Sequence, residues 1–225
     1  MDELFERTIG LLGENCFNKI KNKKVLIFGV GGVGSSAFQA LARTGIKNFS
    51  IVDFDVVAPS NLNRQILFSY DDIGKNKVDV AKGYIENAVK DVTINVFNCK
   101  AQDYSFENDI DFVVDAIDDI NGKLYIAKCC EERNIPIIIS LGMARRFDPS
   151  KVCITTLNKT YNDPFAKKIR YIYKKSGLLL SRMNVVFSSE NPTESNGKLN
   201  SIITVPSAAG LNIAYFVLKH FLKEE

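Results

Sequence analysis

This chain of 225 residues has no tryptophan and one histidine. That histidine, His220, falls near the end of the last expected helix, where a capping or surface position is expected rather than catalysis. The five cysteines, at 16, 99, 129, 130 and 153, form no C-x-x-C pair and no even framework. Their spacing excludes a cysteine-built zinc site and a disulfide scaffold, and leaves buried free thiols as the expectation. No run approaches the roughly 20 apolar residues of a membrane span. The N-terminus, Met1-Asp-Glu-Leu-Phe, is acidic at once and lacks the basic and apolar regions of a signal peptide, so a cytoplasmic location without membrane contact is expected. A net charge of only +3 gives no whole-chain reason to choose a partner. Neither an internal repeat nor a Pro/Gly/Ser linker divides the chain.

What is present is an ordinary globular composition, 46% apolar and 24% charged, long enough to bury a sizeable core. Lys24–Phe28 is a short apolar run ending in glycines, Val33–Thr44 reads as a helix, and Phe49–Val52 is a second apolar run ending at Asp53. Further strands are expected at Val92–Phe97, Phe112–Val114 and Pro136–Ser140, with helices at Lys77–Val89 and Asn121–Glu132. Strands alternating with helices predict an α/β fold with a doubly wound, mostly parallel sheet and helices on both faces. Residues 1–148 form the expected core. Residues 149–225 are expected to add an α+β extension to the same single domain: strands Val152–Leu157 and Asn184–Ser188, a basic helix at Pro164–Lys175, a polar loop at Glu190–Asn200, and a final helix from about Ser207. In that helix Leu211, Ala214, Tyr215, Leu218 and Leu222 recur at helical spacing and are expected to pack into the core.

The segment Gly29-Val-Gly31-Gly32-Val-Gly34 places G-x-G-x-x-G between a strand and a helix. Glycines there permit a tight turn and close approach of a phosphate, while the helix N-terminus favours negative charge. Asp53 ends the next strand, 19 residues past Gly34, where a carboxylate accepts hydrogen bonds from ribose hydroxyls. Together these predict a nucleotide site, but they do not separate NAD from ATP.

Downstream come Asp55, then Ser60-Asn61-Leu-Asn-Arg64-Gln, then Lys77 at the start of a helix. Arg and Lys suit a polyphosphate, although a solvated polar loop would also carry such residues. Asp118 and Asp119 follow the strand Phe112–Val114, at the crevice side of the sheet. One can hold the Mg²⁺ that accompanies ATP and the other can cap the next helix.

These segments, with Ala40-Leu-Ala-Arg-Thr-Gly-Ile and Val52-Asp-Phe-Asp, resemble the ThiF/MoeB/HesA superfamily, relatives of the ubiquitin-activating enzymes. The resemblance implies a Rossmann-like sheet that binds Mg·ATP and activates a carboxylate. It implies that Gly29, Gly31, Gly32 and Gly34 cradle the nucleotide and that Asp53 binds ribose. Asp55, Ser60 and Asn61 then complete the loop, Arg64 and Lys77 hold phosphates, and Asp118 lies at the metal. Phe5-Glu-Arg7-Thr is similar to an arginine-bearing N-terminal segment of the family, which implies a homodimer with Arg7 acting on the partner's ATP.

Within the superfamily, Asp163–Arg170, Asn184–Pro192 and Ser201–Gly210 resemble the tRNA threonylcarbamoyladenosine dehydratases. That implies ATP-driven cyclisation of a carboxylate-bearing adenosine beside the anticodon. A sulfur-relay partner, plausible for the family, leaves no mark in the sequence. The missing cysteine pairs fit, because an internal nucleophile needs no enzyme thiol. Lys159–Arg182 carries seven cations, among them Lys167, Lys168, Arg170, Lys174 and Lys175, against the one acid Asp163. With Tyr161, Tyr171 and Tyr173 interleaved, this segment has the charge and aromatics expected for an anticodon loop. The competing readings are adenylation of the C-terminus of a small ubiquitin-like or sulfur-carrier protein, an NAD-dependent oxidoreductase, and a non-catalytic nucleotide-binding module.

Overall fold

The computed structural model describes residues 3–194 and 200–223. Residues 195–199, part of the expected polar loop, lie outside the described residues. Seven strands form one sheet: β1 (Lys24–Phe28), β2 (Asn48–Val52), β3 (Thr93–Phe97), β4 (Phe112–Asp115), β5 (Ile137–Ser140), β6 (Val152–Thr156) and β7 (Asn184–Ser188). Their order is β3-β2-β1-β4-β5-β7-β6. All neighbouring pairs are parallel except β6–β7. The central strands read as continuous apolar runs because both faces of a parallel sheet are covered.

The strand pleat sorts side chains between two cores. Val25, Ile27, Val114, Ile138 and Val186 join one cluster; Leu26, Phe28, Val113, Ile139, Val185 and Phe187 join the other. The first face carries α1 (Glu6–Leu12), α2 (Glu14–Lys21), α3 (Gly32–Thr44), α4 (Lys77–Ala88) and α7 (Thr204–Lys223). The second carries α5 (Ile120–Arg133) and α6 (Pro164–Lys175). Residues 149–223 supply β6, β7, α6 and α7, and β7 pairs directly with β5 in the same sheet. Among the described residues no helix is long and apolar enough to cross a membrane.

Several sequence expectations change here. The short helices α1 and α2 are not among the expected elements; Phe5 packs on Phe17 at 5.3 Å and holds them to the core. The stripe assigned to the core of α7 is wrong at two positions: Leu211 is 57% and Tyr215 56% exposed. Val205, Ala209, Ile213, Val217 and Phe221 face inward instead. This helix is apolar around most of its circumference, so periodicity cannot choose its buried side; packing against α3 and the sheet does. His220 is neither a cap nor a free surface residue, since its half-buried ring packs on Phe112 at 5.2 Å and on Phe221 at 5.8 Å. All five cysteines are free, but only Cys129 and Cys130 are buried, while Cys16, Cys99 and Cys153 are half-buried.

β1 turns into α3 through its tightest backbone passage. Gly29 has φ +84°, and a Cβ on it would lie 2.8 Å from the Ala116 carbonyl oxygen. At Gly34 a Cβ would fall 1.8 Å from the Gly29 carbonyl oxygen, an impossible contact. Gly34→Ala is therefore expected to destabilise the fold by about 3 kcal/mol or more, as overpacking against rigid backbone does. Urea unfolding measures this, and a loss under 1 kcal/mol would show that the turn can open.

Candidate active site

A cavity of about 980 Å³ opens at the C-terminal ends of the strands, where the order reverses between β1 and β4. Its floor is the glycine turn: Gly29, Gly31 and Gly32 line it, and the first amides of α3 have no partners within their own helix. Those amides and the helix dipole favour an anion here. The side chain of Asp53 secures the turn from β2, its Oδ2 accepting from the Val30 amide at 2.8 Å and Oδ1 from the Asp55 amide at 2.9 Å. Burial pushes its carboxyl above the usual range, and the two amide bonds oppose that shift.

The long loop after β2 folds back on itself. Val57 N donates to Lys75 O at 2.9 Å and Lys77 N to Asp55 O at 3.0 Å, a short antiparallel pairing that brings Lys77 against Asp55. Lys77 Nζ lies 2.7 Å from Asp55 Oδ2, and Lys77 is only 4% exposed. A lysine opening a helix is unfavourable toward the dipole; Asp55 offsets that cost and leaves the cation at the cavity wall. Nearby, Arg64 Nη1 donates to Ser60 O at 2.8 Å and to Asn63 Oδ1 at 2.9 Å, which fixes the guanidinium. Asn61 Oδ1 accepts from the Ala58 amide at 3.0 Å. Gln65 also lines the cavity, and its buried Oε1 has no hydrogen-bond partner among the described residues. A buried acceptor of this kind at a cavity wall suits a polar ligand.

Opposite, β4 ends in Asp115, which pairs with Lys123 of α5 at 2.7 Å; both side chains are fully buried. Burial pushes the Asp115 carboxyl up and the Lys123 ammonium down, and the ion pair opposes both shifts. The Tyr173 hydroxyl donates to Lys123 O at 2.8 Å, tying α6 to the same helix. Asp119 caps α5 by accepting from Gly122 N at 2.7 Å. Its neighbour Asp118 is exposed at the same cavity wall, which Asp119 also lines.

The far wall is Ser140–Ala144 with Phe165, Ser201 and Pro206. Asp163 builds it: the carboxylate caps α6, accepting from Phe165 N at 2.9 Å and Ala166 N at 3.1 Å, and also accepts from Gly142 N at 3.1 Å. The guanidinium of Arg146 donates to the carbonyls of Gly142, Asn162 and Glu190 at 2.6, 3.1 and 3.2 Å.

The cavity thus gathers Gly29, Gly31, Gly32, Asp53, Asp55, Asn61, Arg64, Lys77 and Asp118. Three expected site residues lie outside its lining. Gly34 closes the turn instead of meeting a ligand, and Ser60 serves Arg64 through its carbonyl. Arg7 is exposed on α1. Gln65, Phe54, Lys100 and Lys123 went unassigned in the sequence. Phe54 is exposed at the cavity with Lys100 Nζ 5.9 Å from its ring centre; chain distance alone gives no hint of that pairing. Along α6, Lys167, Lys168, Lys174 and Lys175 are exposed, as is Tyr171. Tyr173 is not available for base stacking because it is fully buried, and Arg170 is half-committed, donating to Thr160 through both its carbonyl, at 2.9 Å, and its hydroxyl.

The profile of the ThiF family matches residues 5–205. The chain belongs to the ThiF family. It is 33% identical over 242 residues to the tRNA threonylcarbamoyladenosine dehydratase of Bacillus subtilis, which spans 98% of this chain and 95% of that protein. The solved structure of Escherichia coli tRNA N6-threonylcarbamoyladenosine dehydratase, TcdA, in complex with ATP is similar at TM-score 0.90 and 29% identity. It covers 97% of this chain and 93% of the solved one. The same protein in complex with AMP matches at TM-score 0.90 and 28% identity over the same shares. The family resemblance read from the sequence holds, as does the doubly wound, mostly parallel fold expected of this ThiF member.

Lys123→Met is expected to cost about 3–5 kcal/mol, because it strands Asp115 as an unpaired buried charge. Adding Asp115→Asn should return most of that stability. Denaturant unfolding of both variants decides the point; equal losses would mean the pair is not energetically coupled.

Proposed function

We propose that this chain is an ATP-dependent dehydratase that cyclises threonylcarbamoyladenosine next to the anticodon of tRNA. One observation carries the reading: Arg64, Lys77 and Asp118 converge on the glycine turn, and the same cavity continues past them to the wall Ser140–Ala144. A site for a dinucleotide alone would have no use for two added cations, and the space beyond them suits a second substrate. The similarity to dehydratases over nearly the whole chain supports the choice of that substrate.

In this reading the amides of the glycine turn and Asp53 seat the nucleotide. Lys77, released from Asp55 by the stronger charge of the phosphates, and Arg64 stabilise the negative charge that builds on them during transfer. The donor set fits Mg²⁺: Asp118 would share the ion with the phosphates, a common arrangement for an ion that keeps few protein ligands, and the ion would neutralise phosphate charge. A carboxylate oxygen of the substrate attacks a phosphorus of ATP and breaks its phosphoanhydride bond, so pyrophosphate (attack at the α-phosphorus) or ADP (attack at the γ-phosphorus) departs and the carboxylate oxygen becomes part of a leaving group. Internal attack by the carbamoyl group then closes the ring and expels that oxygen on the phosphate. The nucleoside loses one water overall, and holding both reactants in one wall-lined cavity supplies the proximity the step needs. The exposed lysines of α6 provide the charge that receives the RNA backbone. In a homodimer Arg7 reaches the partner's ATP.

Incubation with Mg·ATP and threonylcarbamoyladenosine-bearing tRNA should produce a digested nucleoside lighter by one water. Mass spectrometry showing no loss, although ATP binds, refutes the reading. Lys77→Ala should abolish turnover with unfolding unchanged, since its half-exposed partner Asp55 can be solvated. Arg7→Ala should be inactive, and mixing it with Lys77→Ala should restore about a quarter of the activity if Arg7 acts in trans in a symmetric dimer; no recovery while subunits exchange overturns action in trans, and full activity of Arg7→Ala alone places Arg7 outside the reaction. Charge reversal at Lys167, Lys168 and Lys174 should weaken tRNA binding and flatten its salt dependence, while ATP affinity stays within twofold.

A further inference from the structure

The wall beyond the nucleotide site ends in a rim with an unusual backbone. Among the described residues, four other than glycine have positive φ: Asp91 and Asn134, which lie elsewhere, and Arg145 and Asn162 here. Asp and Asn visit that region readily, whereas a long side chain such as arginine does so at a cost. Arg145, at φ +62°, is held there from two directions. Its amide donates to Asn200 O at 2.8 Å, and its carbonyl accepts from Thr193 N at 2.8 Å and Thr193 Oγ1 at 3.2 Å. Three polar bonds thus keep a strained arginine in place directly after the cavity-lining Ala144.

The two adjacent arginines are used differently. Arg146 is buried and spends its guanidinium on four backbone carbonyls, those of Gly142, Ala144, Asn162 and Glu190, anchoring the rim. The Arg145 guanidinium has no hydrogen bond or ion pair among the described residues, and the residue is only half-buried. On the other side of the anchor, the Phe147 ring is 73% exposed, although its amide is fixed by the Glu190 carboxylate at 3.0 Å. A single exposed phenylalanine is unremarkable. One whose backbone is fixed, two residues from an open cation and three past the cavity-lining Ala144, is placed to receive something. Tyr161, also exposed, precedes the Asn162 whose carbonyl accepts from Arg146, and α6 with its lysines follows.

We propose that Arg145 and Phe147 form a seat for an unstacked nucleotide of single-stranded RNA, the guanidinium taking its phosphate and the ring stacking on its base. Arg suits the planar recognition of phosphate oxygens, and aromatic faces accept any base without reading its edge. The seat directly follows the cavity-lining Ala144 in the chain, so it would grip a nucleotide flanking the one that enters. The inference rests on RNA being the substrate, and it names the residues that select a looped-out strand over a duplex.

The test compares the wild-type chain with Arg145→Gly and Phe147→Ala, using an unmodified anticodon stem–loop RNA as the probe. Three quantities are read: RNA affinity across salt concentrations, ATP affinity, and thermal midpoint. Glycine tolerates positive φ, so Arg145→Gly should keep or raise the thermal midpoint while RNA binding weakens and its salt slope falls by about one. Phe147→Ala should weaken RNA binding by about tenfold or more, the effect of losing one stacked base, with its salt slope unchanged. ATP affinity should stay within twofold in both. Unchanged RNA affinity, or a loss that merely tracks the thermal midpoint, overturns the seat. Binding needs no turnover, so a wild-type chain that binds the stem–loop without dehydrating modified tRNA refutes the proposed reaction and not the seat; one that binds no RNA refutes both.

Discussion

The passage from β1 into α3 bends so sharply that the Gly29 carbonyl oxygen occupies the space where a side chain at position 34 would be. That contact aims the first turn of α3 at the end of β1, and Asp53 fastens it by accepting the Val30 amide. Everything that follows depends on this geometry. The unsatisfied amides of the helix become an anion site only because the turn brings them over the strand ends, and the reversal of strand order between β1 and β4 keeps the space above them open. A single methyl group at position 34 would remove the condition for the rest.

Around that floor the protein distributes charge in two ways. The cations of the cavity wall are held by partners that phosphate can replace or supplement: Lys77 by the half-exposed Asp55, Arg64 by a carbonyl and an amide oxygen. Charges that build the walls are buried and paired, as with Asp115 and Lys123, or held by several backbone groups, as with Asp163 and Arg146. An ion pair in water contributes little and rearranges readily, whereas a buried pair costs several kcal/mol to break from one side. The site therefore has a rigid frame and a small set of cations free to change partners.

Much of the nucleotide side was legible because it is local in the chain. A strand, a glycine turn, a helix and an acid at the next strand end lie within about thirty residues, and each link follows from backbone geometry. A helix cap from one of the adjacent acids Asp118 and Asp119 could be foreseen for the same reason, since the helix start needs one, and Asp119 supplies it. Gly34 and Ser60 were assigned to the ligand because motif position does not say whether a small residue faces the cavity or the protein. The basic segment was legible as charge but not as surface. Tyr173 shares the buried stripe of α6 with Ala166 and Ile169 and is fully buried over Lys123, so a count of the segment's aromatics does not say which of them reach the surface.

The sequence alone determined the alternation of strands and helices, the turn and its acid, and the chemistry available for a polyphosphate, since all of these are properties of short segments. It did not determine which side of α7 is buried, because that helix is apolar nearly all round and only contact with α3 and the sheet breaks the symmetry. Nor did it determine the meeting of Asp55 with Lys77, of Asp115 with Lys123, or of Arg145 with Thr193. Each of these joins segments that a loop or crossover separates, and the energy of such a contact exists only once the sheet has set the distance.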